Sequence, residues 1–426
     1  MKKLIKPWLY CIFPMLAVVA FCSCNKESKV VDMPPLMKTN LTSSAFSSTV
    51  YKGLTITISN NFEIGTIPRP TTGGEPAYDY SAFLMKDGND MRLFQGGRFR
   101  DGISDGDHIF SRKVLATSAG DINAWRAATS YVEPTLNPPA PSSGEHPRPL
   151  WRQSEDTGTD PTTWDSGNYL EPECIKVGGV YHLYNQVEIR AGDYIDFPTN
   201  EVAGPSPADR IRLQTSNNGE WGWTKLLPGG ENRGMVINLP SATRRQIKLT
   251  HQEMIYEPGT ALPWVMYVFW FDNGVAKGHV RMRSSDRGTF DWNTKEAVSG
   301  MAQLGNQIGY GDVPAVGGGT ARLYVRITHV ADANGIRVPS FQFSTDGLSW
   351  GFGSTPLQFI GHPTLSNFFL GMSTVDGTGQ LEYAAPDKFA MIYASSACIR
   401  ASAPEIFNSD IWLGKTHLGF SGALQP

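Results

Sequence analysis

The sequence predicts an all-β protein, a five-bladed β-propeller, and three observations predict it. The first is composition: 44 Gly, 29 Pro and 11% aromatic residues against 18% charged suit many short strands joined by tight turns better than amphipathic helices. The second is a strand–turn–strand unit that recurs in one phase. The third is a turn containing Gly with Asp or Asn that follows three of those units.

From the beginning of the chain, Met1, Lys2, Lys3 and Lys6 are basic, and the run from Trp8 to Phe21 is apolar but short for a bilayer span. Residues 1–23 therefore read as a signal peptide. Phe21-Cys22-Ser23-Cys24 resembles a bacterial lipobox, which makes Cys24 the expected lipidated first residue of the mature chain. Cys22 fits less well, because Phe21 would then occupy a position that wants a small side chain. Residues 24–44 are polar, contain Pro34-Pro35 and show neither helical nor strand periodicity, so they read as a flexible tether. The expected location is the bacterial envelope, lipid-anchored to the outer membrane, with residues 45–426 as the propeller.

Once Cys11 and Cys22 leave with the signal and Cys24 takes the lipid, only Cys174 and Cys398 remain of the five cysteines. Two cysteines make no disulfide framework and read as buried thiols; whether they pair is left open. A formal net charge of -3 offers no basic stripe. Nucleic acid is thereby excluded as the natural partner and neutral ligands fit better.

Four segments carry the repeat: Asp79-Tyr80-Ser81-Ala82-Phe83, Glu171-Pro172-Glu173-Cys174-Ile175, His251-Gln252-Glu253-Met254-Ile255 and Asp312-Val313-Pro314-Ala315-Val316. Each opens on an ionisable residue and continues as a hairpin. The recurring turns are Ser216-Asn217-Asn218-Gly219-Glu220-Trp221, Ser284-Ser285-Asp286-Arg287-Gly288-Thr289-Phe290 and Ser344-Thr345-Asp346-Gly347-Leu348-Ser349-Trp350. They look like the Asp-box turns of propeller blades: Asp or Asn bonds backbone amides, Gly takes positive φ and the aromatic packs between sheets. A fifth unit runs from Phe368 to Tyr393. Either the Ile411-Trp412-Leu413 strand or the early strand from Gly53 to Ile58 could close the ring, which leaves few exposed edges. The segment from Glu133 to Asn168 is long for a connection and is expected to line the ligand face.

The first strand of each blade borders the channel, so residues that open those strands are expected to converge at one mouth. That places Asp79, Glu171, His251 and Asp312 together, with Glu253 on the same strand face as His251 by period-2 alternation. Several acids in one cleft suit general acid and base chemistry, because like charges displace one another's pKa.

With these residues the chain resembles the five-bladed propeller glycosidases, above all glycoside hydrolase family 43 with its relatives in families 32, 62 and 117. The resemblance covers roughly Asp79 to the C-terminus. It implies an inverting glycosidase acting on plant or algal polysaccharide or oligosaccharide, with Asp79 as base and Glu171 and Asp312 positioning or tuning. Glu171-Pro172 matches an Ile-Asp-Pro-type motif with Glu in place of Asp. On the third blade His251 stands where the family's acid would be and Glu253 lies two residues on; the expectation is Glu253 as the acid, with His251 binding or taking the acid's role as a His does in family 117. Trp151, Trp164 and Tyr169 are candidate stacking platforms, and Arg98 and Arg326 candidate hydroxyl contacts. No His/Cys/Asp spacing suits zinc, and no cofactor is expected. Some relatives hold calcium or another ion in the channel, which here would fall to His251. A monomer is expected. Two other readings compete: a non-catalytic glycan-binding lipoprotein at the surface, and a scaffold or adhesion propeller.

Overall fold

The computed structural model describes residues 47–67, 71–72, 75–76, 78–100, 105–128, 130–131, 168–189, 195–196, 201–202, 208–220, 222–225, 236–240, 246–302, 305–331, 337–357, 371–373, 377–398 and 409–425. Among these, five sheets have three or more strands. The first holds Tyr78–Asp87, Asp90–Arg100, Asp105–Leu115 and Ser130–Tyr131. The second holds Asn168–Val177, Val180–Ile189, Ala208–Ser216 and Thr224–Lys225. The third holds Ile247–Tyr256, Trp264–Asp272, Val275–Ser284 and Glu296–Ala297, and the fourth Gly305–Pro314, Thr320–Ala331 and Arg337–Ser344. The described residues include one α-helix, Ile122–Ala127, which Asp121 caps through the amide of Asn123 at 2.9 Å. No helix among them is long and apolar enough to cross a membrane.

The fifth sheet closes the ring. In it Gly371–Met372, Lys388–Cys398, Ser409–Gly422, Leu54–Ile67 and Ser48–Tyr51 lie side by side. Both strands proposed for closure are therefore present, and the early one pairs with the late one from Leu54↔Gly422 to Ile67↔Ile411, with Ser48–Tyr51 outside it. The first strand of each sheet packs beside the first strand of the next, and the fifth returns to the first. That cyclic order defines a β-propeller.

A middle strand covered on both faces can be apolar almost throughout rather than alternating. Trp264–Asp272 shows the consequence. Trp264, Met266 and Val268 pack into a cluster shared with Ile211, Leu213 and Tyr184 of the second sheet. The alternate residues Val265 and Tyr267 pack instead with Ile308, Tyr310 and Tyr324 of the fourth. Burying a side chain of this size contributes roughly 1.5–3 kcal/mol, so one strand stabilises two seams at once.

The Asp-box turns act as the sequence implies. Asp346 Oδ1 accepts from the amides of Leu348 at 2.7 Å and Ser349 at 2.8 Å, and Gly347 takes φ +70. Trp350 then lies edge-on to Tyr267 at 6.3 Å, sealing the third sheet to the fourth. Burial would raise Asp346, but the amides of Ser349 and Leu348 and the Ser344 hydroxyl outweigh it and hold the carboxyl below its ordinary value. Asn218 does the same work with the amide of Glu220 at 2.7 Å, and Asp286 with that of Gly288 at 2.5 Å. Trp221 lies outside the described residues.

Candidate functional site

The first strands of the first three sheets share one irregularity. In each the pairing register slips, between Tyr80 and Phe83, opposite Tyr184 and Gln186, and between Thr250 and Glu253. The residue in the slip has positive φ: Ser81 at +52, Glu171 at +53 and His251 at +52. A non-glycine residue in this region costs on the order of 1–3 kcal/mol, and such strain clusters at functional sites. The bulge also re-aims its side chain.

Two of these residues meet. Glu171 Oε1 lies 3.0 Å from His251 Nδ1, and its Oε2 accepts from the His251 amide at 2.7 Å. Both side chains are largely covered, 5% exposed for Glu171 and 14% for His251, so the imidazole presents only a narrow face outward. Phe269 stands edge-on to that ring at 6.3 Å. A carboxylate set beside an imidazole is a recurrent proton-transfer unit.

Beneath the pair the channel is filled by cross-linked polar groups. Gln252 Nε2 donates to the Glu171 carbonyl, and Glu173 Oε2 accepts from the Met254 amide. Gln307 spans further: its Oε1 accepts from the amides of Met372 at 2.6 Å and Leu84 at 3.3 Å, while its Nε2 donates to the Leu84 carbonyl at 2.8 Å. One side chain thus ties the first, fourth and fifth sheets.

Glu253 and Arg326 form the charged part of this plug, both wholly buried. The guanidinium grips the carboxylate through Nε at 2.8 and 2.9 Å and Nη2 at 2.5 Å, and reaches the Ala302 carbonyl and Gln342 Oε1 through Nη1. In this setting Glu253 has every acceptor committed to a cation and no route to solvent, which is the opposite of a proton donor at a mouth. Arg326 likewise holds an acid inside the ring rather than facing a ligand. Glu173, beside them, is pushed well above the usual carboxylate range by burial and then by the Glu253 charge; the Met254 amide and Arg326 oppose this and lose. Two acids thus share one arginine, and the environment of Glu173 favours its protonated form. His279 stays neutral for the same reasons, burial first and then the charges of Arg326 and His251.

The remaining expected residues are distributed differently. Asp79 belongs to the strand Tyr78–Asp87 opposite Gly97, and Arg98 pairs with Tyr78, but their side chains lie outside the described residues, as does that of Tyr169. Trp151, Trp164 and Cys24 lie outside them altogether. It is Ser81, not Asp79, that occupies the place equivalent to Glu171 and His251. Asp312 is not at this mouth. It sits toward the end of Gly305–Pro314, about half exposed, with Arg322 Nε at 3.4 Å and Tyr383 Oη at 2.7 Å from its amide. That end of the ring holds Glu257, which the sequence did not single out, buried between Arg283 at 2.5 Å and Tyr324 Oη at 2.5 Å. Cys174 is a buried free thiol. Among the described residues no group of three or more His, Cys, Asp or Glu could hold a metal ion.

Fold and site together define the class: a closed-ring β-propeller with a carboxylate–imidazole pair on adjacent inner strands. No protein-family model and no curated protein matches the sequence. Several solved structures are similar, among them glycoside hydrolases and an N-acetylgalactosamine deacetylase from F. plautii. One is a GH62 hydrolase in complex with xylotriose, at 12% identity and TM-score 0.48, over 84% of this chain and 96% of that one. Another is the catalytic domain of the GH62 alpha-L-arabinofuranosidase of Coprinopsis cinerea, at 12% identity and TM-score 0.47, over 87% and 96%. A third is the RS223 beta-xylosidase, at 10% identity and TM-score 0.43, over 83% and 98%. At such identities no residue takes a role from the likeness.

Proposed function

We propose that the protein is a glycoside hydrolase acting on plant or algal polysaccharide or oligosaccharide, exported and lipid-anchored through Cys24, with the Glu171–His251 pair as its proton-transferring unit. The observation that carries this reading is the pair itself: two strained bulges on adjacent inner strands bring a carboxylate and an imidazole to 3.0 Å, with the imidazole edge still partly exposed. In the reaction His251, in its protonated form, gives a proton to the leaving glycosidic oxygen as the C–O bond breaks. Asp79 takes a proton from the water whose oxygen attacks the anomeric carbon from the other side, inverting it. Glu171 holds the ring in place. His251 is preferred to Glu253 as the acid because Glu253 is locked to Arg326.

The test is hydrolysis of a polysaccharide panel by the protein and by Asp79→Asn, Glu171→Gln and His251→Asn, with binding measured on the same panel. Loss of about 10²–10⁴-fold in turnover with binding retained is the expected result. A second reading, glycan capture without turnover, is favoured by Ser81, since the first sheet supplies a hydroxyl where the next two supply ionisable groups. Binding without product release, unchanged in all three variants, would establish it. Mass spectrometry of the mature N-terminus, with Cys24→Ala as control, tests the anchor.

A further inference from the structure

A pocket of about 520 Å³ opens between the fifth and first sheets. Its first-sheet residues, Lys86 and Met91, flank the hairpin at the far end of the strand from Ser81, so it is separate from the Glu171–His251 pair. The volume lies within the range of small-ligand sites. Its other wall is built by a second bulge. Between Ser59 and Phe62 the strand Leu54–Ile67 slips register against Ser409–Gly422, with Asn60 at φ +51. The slip sets Phe62 opposite Lys415, whose ammonium lies 5.3 Å from the ring centroid.

Three features of this wall bear on a ligand. Phe62 is 53% exposed, unusual for so apolar a side chain beside a cavity. Lys86 is neutralised by Glu382, whereas Lys415 has no carboxylate partner among the described residues. His417, next along the same face, is pushed below its ordinary value by burial and then by Lys388 and Lys415, and is neutral near pH 7. Its Nδ1 faces Asn60 Nδ2 at 3.0 Å. With the amide donating, the proton of the neutral ring sits on Nε2, which makes that nitrogen a donor.

Among the described residues the wall thus offers one cation without a carboxylate partner, one neutral donor and one exposed aromatic ring. A polyphosphate would call for several free cations, and a purely apolar ligand would leave the Lys415 ammonium with no anion to meet. We propose that this pocket is a second carbohydrate site for a singly anionic sugar residue, its carboxylate or sulfate ester on Lys415, a hydroxyl on His417 and its ring against Phe62.

Calorimetric titration of the purified protein with trigalacturonate, a monosulfated galactotriose and neutral galactotriose tests this. One charged probe should bind, and which one identifies the anion. Neutral galactotriose should bind about three- to tenfold more weakly, and Lys415→Gln and Phe62→Ala should each weaken the charged probe by a similar factor. Both substitutions fall on exposed side chains, so the fold survives them, and Glu171→Gln should leave this binding unchanged. Equal binding of charged and neutral probes, no binding of any, or binding indifferent to Lys415 and Phe62 would overturn the proposal.

Discussion

Replacing Arg326 with methionine should be among the most damaging single changes in the ring, and its cost should depend on pH. The substitution keeps an apolar stem of similar length but strands Glu253, which is fully buried and otherwise held by three short contacts to the guanidinium. Breaking a buried ion pair from one side costs about 3–5 kcal/mol. Loss of the bond to the Ala302 carbonyl at 2.8 Å adds about 1 kcal/mol. Against a typical stability of about 5–15 kcal/mol, that approaches unfolding. The stranded carboxylate can escape by taking a proton, so its folded pKa in the variant rises above its unfolded value. Stability is then fully present below the ordinary carboxylate range and lost as pH rises. Urea denaturation followed by tryptophan fluorescence at pH 5 and pH 8 should show the larger deficit at pH 8. The double variant Arg326→Met/Glu253→Leu should recover most of it, because no charge remains uncompensated. A single variant within about 1 kcal/mol of the parent at pH 8 would refute the argument.

Other expectations follow from the same structure. Glu173 is held above its unfolded pKa, so it stabilises fully at acid pH and progressively less as pH climbs from the ordinary carboxylate range; Glu173→Gln should flatten that part of the melting-temperature profile. His182 is depressed to about 4 by burial and then by Arg287, so its contribution is present above its unfolded pKa and lost as pH falls from about 6.5 toward 4; His182→Gln should reduce acid sensitivity in that window. Gly347→Ala would place a methyl 2.5 Å from Tyr267 Oη at a positive φ, and should cost roughly 1–3 kcal/mol in denaturation experiments. Asp346→Ala removes the acceptor for two turn amides and should cost about 1–2 kcal/mol, read the same way.

The ring was legible because its determinants are local and repeated. Val180 after Gly178-Gly179, or Trp350 after Asp346-Gly347, announces a hairpin or a blade corner in a few residues. The site was harder. Asp79 and Asp312 look like Glu171 and His251 because all four are ionisable and precede apolar residues, yet register is set by the bulge, which depends on φ at Ser81, Glu171 and His251. Counting back from the turns would have helped, since Ser81 and Glu171 each stand seven residues before the first turn glycine, Gly88 or Gly178. The partnership of Glu253 with Arg326 joins positions on different sheets, and nothing in either segment encodes it. Glu257 was invisible for the same reason, its partners Arg283 and Tyr324 lying on other strands.

The pairing of Leu54–Ile67 with Ser409–Gly422 also sets a clock. Leu54 and Gly422 are roughly 370 residues apart, so at ordinary rates of synthesis the early strand waits on the order of tens of seconds for its neighbour. Through that interval it displays an unmatched edge while the first four sheets are already able to stack, and only the last stretch of chain can fasten the circle. Anything that escorts the nascent protein, or holds it unfolded until translation is complete, would act chiefly by shielding this one ribbon.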